Sequence, residues 1–63
     1  MEKQAKRNKF LVICETPTGS EYPYSDYAKL INAKKVADEL AIWRTSGFYA
    51  SVYNDKGKEV YNA

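Results

Sequence analysis

Apolar and polar positions along the chain define four short strand-like runs and one helix-like run. Residues 10–14 are continuously apolar and rich in strand-forming side chains, which is typical of a buried central strand. A turn rich in Thr, Pro, Gly and Ser follows, and residues 21–24 then predict a second strand. Because Pro23 lacks the N–H that a sheet ladder needs, we expect this second strand at an edge of the sheet.

The middle of the chain predicts one amphipathic helix. Asn32 is a suitable N-cap, and the segment after it has the spacing of a helix of about three turns. The apolar side of that helix is predicted to face the core and comprises Ala33, Val36, Ala37, Leu40 and Trp43. The alternative for Trp43 is that it caps the end of the helix as an anchor for a partner. The other side is charged and reads as a solvated surface; it comprises Lys34, Lys35, Asp38 and Glu39.

The last third of the chain predicts a β-hairpin. Residues 48–53 alternate with the period of a strand, residues 54–57 have the composition of a turn, and residues 58–61 return as a short strand. The element order is therefore β-β-α-β-β, an α+β fold in which one helix covers one face of a small sheet. If the apolar first strand lies between the second and the third, the strand order is 2-1-3-4 and every neighbouring pair is antiparallel.

Length and charge predict a single domain with a basic leader. A chain of 63 residues has room for one domain, assigned to residues 9–63, and residues 1–8 have no apolar periodicity and are expected to be flexible. The net charge of +2 arises from the beginning of the chain, because residues 10–63 hold six basic and seven acidic side chains. The basic residues of the leader region are Lys3, Lys6, Arg7 and Lys9.

Residues that carry catalytic chemistry are scarce in this chain. It has no His, and its three glycines are too scattered for a phosphate-binding loop. Cys14 lies inside the apolar run, where a thiol normally serves packing. We therefore expect no enzyme activity, no metal and no cofactor. A single cysteine and the absence of a long apolar run favour a cytoplasmic protein without a membrane segment.

The tyrosines form the most informative set of candidate site residues. Strand alternation places Tyr49 and Tyr53 on the face opposite Phe48, Ala50 and Val52, with Leu11 or Ile13 beneath them. Either these rings pack at the edges of a small core, or they form an exposed contact face. The tyrosines predicted to contact a partner are Tyr22, Tyr24, Tyr49, Tyr53 and Tyr61.

Several short segments resemble the small RNA polymerase inhibitor family of T7-like phages. The similar residues are Lys9-Phe10, the Tyr22-Pro23 pair, Leu40-Ala41-Ile42-Trp43 and Gly47-Phe48, within residues 9–53. The resemblance implies a non-enzymatic protein that binds host RNA polymerase and blocks transcription. This chain departs from the family in a shorter loop after Trp43, in lacking the basic residues of the last strand, and in an added strand near its end.

These observations predict a small protein-binding module, phage-encoded and acting in the host cytoplasm as an inhibitor or modulator of a host enzyme such as RNA polymerase. An alternative is a single-stranded nucleic-acid-binding protein that uses the tyrosine-bearing sheet face and the basic leader. A third reading is a homodimer that pairs its helix-free faces.

Overall fold

The computed structural model describes residues 3–63, which form one helix packed on one face of a four-stranded sheet. A 3₁₀ helix follows the α-helix directly. The elements are β1 (Phe10–Glu15), β2 (Glu21–Tyr27), α1 (Leu30–Leu40), the 3₁₀ helix (Ala41–Ser46), β3 (Tyr49–Tyr53) and β4 (Glu59–Asn62).

The sheet confirms the predicted α+β fold and the predicted strand order. The strands lie in the order β2-β1-β3-β4, and each neighbouring pair is antiparallel. The most apolar strand, β1, is central, and β2 with Pro23 is an edge strand, as expected for a residue without an N–H. A β-bulge at Tyr24 interrupts the β1–β2 register between Val12 and Ile13.

The core lies between α1 and the sheet and is built from small and branched side chains. Its fully buried members are Val12, Ala33, Ala37, Ala50 and Val52. Alanines on the inner side of α1 let the helix approach the sheet closely, and larger half-buried side chains close the rim. These rim residues are Phe10, Tyr27, Leu30, Val36, Leu40, Val60, Tyr61 and Ala63.

The beginning of α1 differs from the prediction. Asn32 was predicted as the N-cap, but the helix begins at Leu30, with Lys29 in the cap position and no side-chain cap. The N–H of Asn32 donates to the Lys29 carbonyl oxygen at 3.2 Å, so Asn32 lies within the first turn. The earlier start makes Leu30 the first residue of the helix, and its side chain packs against the core.

The end of the helical segment also differs, and this changes the environment of Trp43. The α-helix ends at Leu40 and the chain tightens into the 3₁₀ helix, which has three residues per turn instead of 3.6. The change of period rotates Trp43 away from the inward side of α1. The prediction that Trp43 belongs to the core is therefore wrong, since its side chain is 55% exposed.

The N-terminal segment, residues 3–9, lies against the sheet and the β3–β4 turn. The Ala5 N–H donates to the Asn54 carbonyl oxygen at 3.0 Å, and the Gln4 side-chain amide donates to the Asp55 carbonyl oxygen at 2.6 Å. The Asn8 N–H donates to the Asp55 carboxylate at 3.0 Å. Residues 3–8 of the predicted flexible leader are thus in contact with the domain and do not project from it; residues 1 and 2 lie outside the described part.

No helix in residues 3–63 is long and apolar enough to cross a membrane.

Candidate interaction surfaces at the two ends of the sheet

The structure distributes the five predicted contact tyrosines over both faces of the sheet. Tyr49 and Tyr53 pair with Glu15 and Leu11 on the face away from α1, as strand alternation predicts. Tyr22 pairs with Cys14 and Tyr61 pairs with Val52, so both lie on the helix side. Tyr24 lies at the β2 bulge and is exposed. The five residues therefore do not form one surface.

Tyr61 is tied to the helix. Its hydroxyl donates to the Asp38 carboxylate at 2.5 Å, and its ring lies 5.2 Å below the Lys34 ammonium group. The hydrogen bond to Asp38 raises the pKa of Tyr61 above its usual value. Through these contacts the Tyr61 side chain links β4 to α1.

The helix-free face of the sheet is covered in part by the N-terminal segment. The Lys3 ammonium group forms an ion pair with Glu21 of β2 at 2.5 Å and lies 5.7 Å from the Tyr53 ring of β3. Because β1 runs between β2 and β3, the Lys3 side chain crosses over β1. This cover explains why Ile13, on a face without a helix, is only 2% exposed.

A groove with aromatic walls opens at the end of the sheet where α1 ends and β3 begins, and residues from both faces of the sheet border it. Its volume is about 360 Å³. We call it the aromatic groove, and it is lined by Cys14, Tyr22, Leu40, Trp43, Phe48 and Tyr49. Four of these side chains are large aromatic rings that remain exposed to solvent.

The loop between the 3₁₀ helix and β3 holds the groove open. Gly47 has a left-handed φ of 90°, which lets the chain turn sharply, and the Phe48 N–H donates to the Trp43 carbonyl oxygen at 3.2 Å. Trp43 and Phe48 are thereby fixed on opposite sides of one tight turn. Phe48, predicted to begin the strand on the same face as Ala50 and Val52, precedes β3 and is exposed.

The floor of the groove is chemically inert. Burial raises the pKa of the Cys14 thiol, and the neighbouring Tyr22 opposes this with a smaller effect. The thiolate that would act as a nucleophile is therefore scarce at neutral pH. None of the described residues that line the groove carries a charge. Such a site binds apolar groups through contact and desolvation.

Further apolar side chains are exposed outside the aromatic groove, and one of them, Ile42, lies with Ile31 beside the charged outer side of α1. Ile42, which precedes Trp43 in the 3₁₀ helix, is 72% exposed, and Tyr24 on the β2 edge is also exposed. A small molecule held in the groove would leave this neighbouring apolar surface in water. A protein surface would cover both.

The opposite end of the sheet is basic. The N-terminal segment is hydrogen-bonded to the β3–β4 turn there, and this brings together cations that are remote in sequence. We call this region the basic end, and its cations are Lys6, Arg7, Lys9, Lys56 and Lys58. Lys9 is half-buried and the other four are exposed.

Residues 3–63 contain no group of three or more His, Cys, Asp or Glu side chains that could hold a metal ion. No known protein family, no curated protein and no solved structure matches the chain. The resemblance to the phage RNA polymerase inhibitors stays a prediction.

Sequence reasoning missed the aromatic groove as a site. Tyr22 and Tyr49 were predicted as contact residues, and Trp43 was predicted as a core residue with a partner anchor as the alternative. Phe48 was placed only on the same strand face as Ala50 and Val52. One signal was available. Gly47 stands between the two aromatics, and a glycine in that place ends the regular period on both sides.

Proposed function

We propose that this protein is a small non-enzymatic binding module that docks onto another protein through the aromatic groove. The observation that supports the proposal is the group of four exposed aromatic rings around an uncharged groove. Large rings of this kind are the residues that most often supply binding energy in protein interfaces. The occupant would be an apolar side chain or short apolar segment of the partner, with Ile42 at the margin of the contact.

The finer proposal is that the partner is a bacterial host enzyme, with RNA polymerase as the first candidate, and that the protein is a phage-encoded inhibitor acting in the host cytoplasm. Its support is the sequence resemblance alone. Two residues of the aromatic groove, Trp43 and Phe48, belong to the segments that carry the resemblance, so the groove is the proposed contact site for the polymerase.

The test compares a groove variant with a matched surface variant. Trp43→Ala combined with Phe48→Ala removes two walls of the groove, whereas Ile31→Ala removes an apolar side chain that is more exposed than either of them, from the outer side of α1. Each protein is immobilised and probed with purified bacterial RNA polymerase and with bacterial lysate. We expect a partner that binds the wild type and Ile31→Ala, and binds the groove variant about 30-fold more weakly, the loss expected for hot-spot residues.

Cys14 provides a second readout, because it lies in the floor of the groove. Alkylation of Cys14, followed by mass spectrometry, should slow further when the partner is bound. A partner that binds all three proteins equally, and leaves Cys14 alkylation unchanged, would show that the groove is not the contact site. Binding to a protein other than RNA polymerase with the expected pattern would retain the binding module and reject only the proposed host enzyme.

A further inference from the structure

The tertiary structure concentrates positive charge at one end of the sheet. Residues 4–9 and residues 54–59 together hold five basic and two acidic side chains. Ala5 is bonded to Asn54 and Asn8 to Asp55, so Lys6 and Arg7 lie between two points of attachment to the turn that carries Lys56 and Lys58. Two stretches of modest charge become one surface.

The cations of the basic end have no anionic partner within the described chain. The ion pair found in residues 3–63 joins Lys3 to Glu21, outside this group. The carboxylate of Asp55 accepts the Asn8 N–H, and that of Glu59 accepts the Asn62 side-chain amide at 3.2 Å. Neither acid is paired with a cation of the basic end. The positive potential is therefore available to an external anion.

The geometry also indicates what kind of anion fits. The N–H groups of Lys56 and Lys58 both donate to the Asn54 side-chain oxygen at 2.9 Å, and the Gly57 N–H donates to the Asn54 carbonyl oxygen at 3.1 Å. Since these three N–H groups already donate within the turn, they are not available to bind a single phosphate ion. Binding must come from long side chains, which suits an extended row of phosphates.

A shallow groove of about 320 Å³ runs between the two basic segments. It is lined by Asn8, Lys9, Phe10, Asn54 and Asp55. Within residues 3–10 and 53–60, the described segments that carry these cations, no large apolar side chain is exposed. This end therefore lacks the apolar centre of a protein interface. Exposed cations without such a centre are typical of contacts to a nucleic-acid backbone.

We propose that the basic end binds the phosphate backbone of a nucleic acid, without sequence preference, through cations contributed jointly by the N-terminal segment and the β3–β4 turn. This site is separate from the aromatic groove, which lies at the other end of the sheet, and it does not depend on the proposed function. It also differs from a tyrosine stacking face, because Tyr53 lies next to Lys3 on the covered side of the sheet.

The experiment measures binding of the full chain to a fluorescent mixed-sequence single strand and to its duplex over a series of salt concentrations. Each neutralised phosphate contributes about −0.7 to the slope of log K against log salt for a single strand and about −0.9 for a duplex. The four exposed cations of the basic end therefore predict a single-strand slope of about −3. Lys56→Ala combined with Lys58→Ala should weaken binding and make the slope about 1.4 less steep.

The matched control is Lys35→Ala combined with Arg44→Ala, which removes the same charge from exposed positions of α1 and the 3₁₀ helix. This control and the groove variant Trp43→Ala/Phe48→Ala should keep the wild-type slope. The turn variant is preferred to deletion of the N-terminal segment, because that segment also covers the sheet. Thermal melts check that each variant is folded.

Three outcomes would overturn the proposal. The first is absence of oligonucleotide binding at low salt. The second is equal loss of binding in the turn variant and the control, since binding would then follow net charge and not the basic end. The third is equally tight binding of labelled polyglutamate, which would indicate an acidic protein surface as the natural partner.

Discussion

The aromatic groove and the basic end lie at opposite ends of the same sheet and are assembled in different ways. Most of the groove comes from one continuous stretch, residues 40–49, which folds against Cys14 and Tyr22. The basic end requires contacts between residues about as far apart as the chain allows, since Gln4 and Asp55 are separated by 51 positions. One surface is local in sequence and the other exists only after the chain has folded.

The two surfaces also differ in what a partner would gain from them. The groove offers exposed rings and no charge, so binding there would depend on apolar contact and respond weakly to salt. The basic end offers mobile cations and little apolar area, so binding there would depend on salt and tolerate single substitutions. A protein of this size can therefore present two independent contacts, provided that the sheet between them is stable.

The largest expected effect concerns the residue under the N-terminal segment. Ile13→Ala should lower the free energy of unfolding by about 2–5 kcal/mol, as for a core residue, although no helix covers its face. The measurement is chemical denaturation. In a chain that lacks residues 1–8 the same substitution should cost much less, because Ile13 is then already exposed to water.

If Ile13→Ala costs the same in both chains, the N-terminal segment does not cover Ile13. The difference between the two ends would then be smaller than we describe, because the segment would contribute charge to the basic end without contributing to the stability of the sheet.

A prediction of intermediate size compares Gly47, beside the aromatic groove, with Gly57, in the β3–β4 turn at the basic end. Gly47 and Gly57 have left-handed φ angles of 90° and 76°, so alanine at either position is strained by about 1–2 kcal/mol. A Cβ at Gly47 would also lie 3.1 Å from Pro17 Cβ, whereas at Gly57 the nearest atom is 3.6 Å away. Gly47→Ala should therefore cost about 1–3 kcal/mol more than Gly57→Ala in denaturant melts.

Gly19→Ala is the control for that comparison, because its φ of 86° carries the same strain and no atom lies within 4 Å of the added Cβ. It should match Gly57→Ala. Equal losses for all three substitutions would contradict the tight packing of the aromatic end around Gly47.

The smallest effect concerns the ion pair between Lys3 and Glu21. Both side chains are about one-third exposed, and an ion pair in water stabilises little. Glu21 raises the pKa of Lys3 above its usual 10.5, so with Glu21 ionised the contribution is present at neutral pH and is lost as pH rises through the raised value. Lys3→Met, which keeps the aliphatic stem, should show a small loss in thermal melts at neutral pH that disappears in high salt.

No loss in Lys3→Met at neutral pH and low salt would show that the Lys3 stem, which methionine retains, holds the segment on the sheet, and not the Lys3 charge. Glu21→Gln is the matched variant, since it removes the charge of the partner and leaves the Lys3 stem in place.

The fold was predictable because its elements have strong local signals. The apolar run of β1, the alternation of β3 and the turn residues of the last hairpin each indicate one structure, and Pro23 indicates an edge. The candidate site was predicted only in part. Tyr22 and Tyr49 lie on the aromatic groove, but Trp43 was assigned first to the core, since spacing alone does not reveal where an α-helix tightens into a 3₁₀ helix.

The sequence by itself determined the order of the elements, the central place of β1 and the opposite faces of Ala50 and Tyr49, because side-chain period and backbone chemistry are local properties. Only the tertiary structure decided which exposed side chains share a surface. Lys56 and Lys58 join the N-terminal cations because Asn54 and Asp55 bind that segment, and such long-range hydrogen bonds leave no pattern in the sequence. The cover over Ile13 has the same origin, since it requires a segment to cross a sheet formed by residues far along the chain.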